Sequence, residues 1–130
     1  VSAIEAAEKK TSGEIRVFIF ENEVKDPVAQ AREEFERLGM RKTAQRNGVL
    51  LFFAPLSQAY AVFADEAVYN RCGEHFWHVI RDEMHNRLKA DDYTGAIVGA
   101  VRQIGEALAQ YFPPIAGDRN ELPNQIERGG

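Results

Sequence analysis

The sequence predicts an α/β domain, a three-layer-type sandwich with a small central mixed sheet. Two observations lead there. Three short runs rich in strand-forming residues, "EIRVFIF", "GVLLFFA" and "AYAVFA", alternate with segments whose apolar residues recur at helical spacing. A long helical segment separates the first two runs, whereas only a short turn separates the second and third. A strand–helix–strand crossover favours parallel pairing, and a short turn demands antiparallel pairing.

The elements follow in the order α-β-α-β-β-α-α. Residues 1–10, "VSAIEAAEKK", read as the end of a helix, with Lys9 and Lys10 in its last turn. In "EIRVFIF", Ile15, Val17 and Ile19 share one face. Phe18 and Phe20 make the other face apolar, as expected for an interior strand. Asp26-Pro27 has the form of an N-cap followed by proline at the first helical position. Val28, Ala31, Phe35 and Leu38 give the next helix its apolar stripe, and Gly39 stops it. "GVLLFFA" is buried strand, Pro55, Ser57 and Gln58 make the turn, and "AYAVFA" is the third strand. After a short acidic loop, "GEHFWHVIRDEMHNRLKA" is a helix with Phe76, Trp77, Ile80, Met84 and Leu88 on one face. Asp91 and Asp92 precede the last helix, where they are placed to cap it. The whole of 1–130 reads as one domain, with 112–130 an irregular Pro/Gly-rich tail.

Composition narrows the function. With 45% hydrophobic and 28% charged residues, the chain has the balance of a soluble globule. A net charge of −4 argues against nucleic acid as a partner, because phosphate backbones require a concentrated basic surface. The lone cysteine, Cys72, rules out an intramolecular disulfide, so a reducing compartment is allowed and a cytoplasmic location is expected. No apolar run approaches the roughly 20 residues of a membrane helix. Nothing demands more than a monomer.

The predicted topology brings distant polar residues together. The starts of two parallel strands and the finish of an antiparallel third lie at one end of a sheet. Ser12, Gly13, Glu14, Arg46, Asn47, Asp65 and Glu66 therefore converge there. Carboxylates suit a hard cation, while a guanidinium and an amide suit a phosphate. Glu14, Asp65 and Glu66 are the candidate metal ligands, and Arg46 and Asn47 the candidate anion-binding residues. No catalytic residue can be named. The opposite end has its own acids: Glu21, Glu23, Asp26, Asp91 and Asp92. His75, His78, Asp82 and His85 share a helix face opposite the apolar stripe, and a solvated face explains them. Cys72 precedes a helix, where a dipole lowers a thiol pKa, but no histidine is evidently paired with it. Trp77 and Tyr93 read as core aromatics rather than pocket walls.

The motifs "TSGEIRV", "RNGVLLFFAP", "GEHFW", "DDYTGAI" and "NELPN" together resemble the TPM domain, and the ending resembles its soluble, single-domain bacterial branch. The family is named after a thylakoid lumen protein, a photosystem II repair protein and a modulator of levamisole receptors. The resemblance implies an α/β sandwich and divalent-cation binding, calcium or magnesium. For one plant lumenal member it also implies acid-phosphatase activity. Glu14 falls at the family's "SGEI" acid. Arg46 stands where many membrane-anchored relatives carry an Asp, so a cation-repelling charge replaces a ligand. Asp65 keeps the acid after the third strand, though Ala64 replaces the glycine often found there. The leading expectation is a cation-binding TPM domain. The alternatives are a metal-assisted phosphatase acting on a phosphate-bearing small molecule, with Arg46 holding the phosphate, and a non-catalytic interaction module.

Overall fold

The structure, a computed structural model, describes residues 11–42, 45–113 and 126–129. Its elements are β1 (Glu14–Phe20), α1 (Pro27–Arg37), β2 (Gly48–Ala54), β3 (Ala59–Ala64), α2 (Glu66–Cys72), α3 (Glu74–Lys89), α4 (Tyr93–Tyr111) and β4 (Ile126–Gly129). The helix expected within residues 1–10 lies outside the described residues.

The strands form one mixed sheet in the order β3-β2-β1-β4. β1 and β2 are parallel, with Glu14 opposite Gly48, and β2 and β3 are antiparallel, with Val49 opposite Ala64. Both pairings are those the connection lengths predict. Period-two alternation sends each strand's side chains to two separate cores. Ile15, Val17, Val49, Leu51 and Phe53 face α3 and α4, meeting Trp77, Ile80, Met84, Val101, Ile104 and Leu108. Phe18, Leu50 and Phe52 face α1, meeting Ala31 and Phe35, with Met40 from the 3-10 turn Met40–Lys42 that follows α1. Every residue of β2 is buried, which explains its unbroken apolar run. The result is three layers: α1, sheet, and α2 to α4.

Two expectations are corrected. The acidic loop after β3 is a helix: Asp65 is extended, its carboxylate accepts from the Glu66 amide, and α2 runs from there to Gly73. One such cap is enough to start a helix whose seven residues carry too little periodicity to be read in sequence. Gly73, at φ 82°, breaks the chain between α2 and α3 in a conformation that favours glycine. The tail 112–130 is also not wholly irregular. Ile126–Gly129 add a fourth strand parallel to β1, in a segment of four residues too short to show alternation. Elsewhere local chemistry acts as read: Asp26 caps α1 through the Ala29 amide, and Asp92 caps α4 through the Gly95 amide.

Candidate functional site

Glu14 opens β1, Gly48 opens β2, and Asp65 follows β3. The Asp65 amide donates to the Gly48 carbonyl at 2.9 Å, and the Glu14 amide donates to the Asn47 carbonyl at 3.4 Å. The predicted convergence at one sheet end is therefore present in the backbone. Alternation assigns Glu14, Gly48 and Asp65 to the face that carries Phe18, Leu50 and Phe63, the α1 side. Gly48 has no side chain to place between the two acids. A Cβ there would stand 3.2 Å from the Met40 carbonyl oxygen. That carbonyl reaches the sheet because the turn after α1 passes directly over the start of β2.

Asp65 is 2% exposed and its carboxylate is held on both oxygens. Arg46 donates from Nε to Oδ2 and from Nη2 to Oδ1, each at 2.8 Å. The Glu66 amide donates to Oδ1 at 2.7 Å. Two carboxylate oxygens offer about four acceptor sites, so these three bonds leave one, on Oδ2. The pairing geometry is the bidentate fork that makes Arg–carboxylate pairs strong. The Arg46 side chain remains 38% exposed, and its backbone is left-handed at φ 53°. The hydrogen bond to Asp65 raises the Arg46 pKa further above its usual range, so the guanidinium stays charged.

Further charges surround the pair. Arg41 donates from Nε to Glu36 at 2.7 Å, and this bond raises its pKa. Glu36 and Glu66 both act on Arg46 through the same field. Glu36, Arg41 and the Met40 carbonyl are members of this sheet end that the sequence reading missed. No local signal announces them: they arrive through the path of the chain after α1.

Asn47 has a structural place. It is 1% exposed, and its Nδ2 donates to Ser12 Oγ at 3.3 Å, linking the starts of β1 and β2. Thr11 is tied to the end of α4, its Oγ1 donating to the Leu108 carbonyl at 3.0 Å and also to that of Phe112. The Ser12 amide donates to the Phe112 carbonyl at 2.9 Å. Gly13 allows this closeness, since a Cβ there would meet Leu108 at 3.0 Å. Much of the "TSGE" motif thus serves to anchor β1 to α4.

Glu66, the first residue of α2, is exposed and carries an acid where a helix N-terminus favours one. Among the described residues, no three His, Cys, Asp or Glu side chains form a group able to hold a metal ion. Glu14, Asp65 and Glu66 therefore share a sheet end without forming a ready three-carboxylate cage. The helix-face histidines behave as a solvated surface, with His78 and Asp82 paired at 3.2 Å and both well exposed. Cys72 closes α2, and burial raises its thiol pKa against a smaller opposing effect of Arg71. The raised pKa fits a passive cysteine, the reading that the lack of a paired histidine favours. Trp77 is core, as read, whereas Tyr93 is exposed. No described helix is long and apolar enough to cross a membrane.

The family model for the TPM domain matches residues 1–107. This chain belongs to the TPM domain family. Its fold is similar to the NMR structure of the BA42 protein from the psychrophilic bacterium Bizionia argentinensis sp. nov., with a TM-score of 0.89 and 34% identity. The match covers 98% of this chain and 88% of that one. No curated protein matches the chain. Within a TPM domain of this build, the sheet end that joins β1, β2 and β3 carries the buried acids Glu14 and Asp65 and the Arg46 fork.

Proposed function

We propose that this TPM domain binds a divalent cation, calcium or magnesium, at the sheet end formed by Glu14, Gly48 and Asp65. The observation that supports it is the row itself: two buried carboxylates on one face, a glycine between them, and the Met40 carbonyl beside that glycine. These are hard oxygen donors, the set that calcium and magnesium prefer, and both ions complete such sets with water. Arg46 occupies Asp65 as an internal cation. An incoming ion displaces that guanidinium, which is already partly exposed, and takes over its two oxygen positions. Glu66, adjacent in sequence and exposed, supplies a further carboxylate at the rim.

The alternative is hydrolysis of a phosphomonoester or nucleotide, with the bound cation polarising the phosphoryl oxygens. It asks Arg46 to exchange Asp65 for a phosphate, so it releases the same bidentate bond as the cation reading and needs a nucleophile or base besides. A pure interaction module requires nothing of either residue.

Calorimetric titration of calcium into wild type and Asp65→Asn tests the assignment. Asparagine is an equally good N-cap, so α2 is retained while the ligand charge is lost. The expected result is roughly a tenfold or larger loss of affinity, because ligand charge count sets calcium affinity. Equal affinities in the two proteins would remove Asp65 from the site.

A further inference from the structure

The far end of the sheet holds a cavity of about 320 Å3, where β2 hands over to β3 beneath the α3–α4 connection. Its floor is Phe53, and its walls include Tyr60, His85 and Tyr93. The Tyr60 and His85 rings stand 6.1 Å apart at 39°. Lys89, the last residue of α3, and Asp91, two residues later, bring opposite charges to the rim. Among the described residues neither forms an ion pair, since Arg87 is taken by Asp92 and Glu83 instead. Two of the three left-handed non-glycine residues among those described also line this cavity, Gln58 at φ 50° and Asp91 at φ 61°. Such backbone is costly and gathers where a surface is shaped for binding.

We propose that this cavity binds a small zwitterion with an aromatic side group, the chemistry of a free aromatic α-amino acid. Size argues for it: the volume lies at the lower end of ligand pockets and accommodates one or two rings. Charge argues for it as well. A ligand of one sign satisfies one rim residue and repels the other, whereas an ammonium and a carboxylate on one carbon meet Asp91 and Lys89 together. Aromatic walls hold a ring by stacked or edge contacts worth more than their area alone. This site is separate from the Arg46–Asp65 end and does not depend on cation binding there.

The probe is L-phenylalanine, titrated into the 15N-labelled protein, with phenethylamine, 3-phenylpropionate and L-alanine as comparators. L-phenylalanine is expected to shift the amides of Tyr60, His85, Lys89 and Tyr93 saturably in the millimolar range. Phenethylamine and 3-phenylpropionate, each lacking one charge, bind up to about fivefold more weakly, the range of a solvent-exposed ion pair, and L-alanine, lacking the ring, binds more weakly than L-phenylalanine too. In Lys89→Gln the preference over phenethylamine disappears, and in Asp91→Asn the preference over 3-phenylpropionate disappears. Asparagine tolerates the left-handed backbone, so the second variant keeps its loop. No saturable shift at about 20 mM, far beyond millimolar affinity, would overturn the proposal. So would comparators that bind wild type as well as L-phenylalanine does, or preferences that persist in both variants.

Discussion

Trp77→Ala lowers the unfolding free energy by about 3–5 kcal/mol, the cost of deleting a large buried aromatic and leaving a cavity. Trp77 is 2% exposed at the first turn of α3 and belongs to the core between the helices and the sheet. Its ring stacks on Tyr69 at 6.3 Å and meets Phe76 edge-on at 4.9 Å. Its Nε1 donates to the Tyr69 carbonyl at 3.3 Å, across the α2–α3 corner. That corner has only Gly73 to join the helices, and the indole links the two across it. Trp77→Phe restores ring packing but not the hydrogen bond and is expected to cost less than half as much. Urea unfolding checks both: an unfolding free energy for Trp77→Ala within about 0.5 kcal/mol of wild type would place the corner's stability elsewhere.

Arg46→Gln strengthens calcium binding roughly tenfold or more at low salt, because it removes a positive charge within hydrogen-bonding distance of the proposed ligand Asp65. The gain shrinks as salt rises, since Arg46 is partly exposed and its field is screened. The same substitution leaves Asp65 without its guanidinium. The ion-free variant therefore melts below wild type, and calcium restores it, as linkage requires of a ligand that binds only the folded state. Thermal melts with and without calcium separate this from a general loss of packing. A lowered melting temperature that calcium does not raise would mean that Arg46 serves the fold alone.

The pairing of β1, β2 and β3 was legible in the sequence because the connections dictate it, whereas the four-residue β4 was not. The strand after Pro55 had to run antiparallel, and the strand after α1 had to run parallel. That placed Arg46, Asn47 and Asp65 at one end although 17 residues lie between Asn47 and Asp65. What happens among those residues was not legible. Whether Arg46 turns to Asp65 or to solvent depends on one left-handed backbone residue and on the Asp65 cap, which are three-dimensional facts. Asn47 reads as a candidate anion ligand by type, yet its burial and its bond to Ser12 give it a structural task. The Met40 carbonyl was beyond sequence reasoning altogether, because a backbone oxygen carries no residue signature. Likewise Tyr93 follows helical periodicity as a core aromatic would. It is exposed because it opens α4 at the rim of a cavity.

Cation binding at this sheet end is tested most directly by amide-shift mapping during calcium titration of the 15N-labelled, metal-free protein. Saturable shifts are expected, centred on Glu14, Gly48, Asp65 and Glu66, with the Arg46 Nε–H resonance moving as its bond to Asp65 is released. Shifts confined to Glu21, Glu23, Asp26 and Asp92 at the other sheet end, or none at roughly 10 mM ion, above the range of even weak calcium modules, would contradict it.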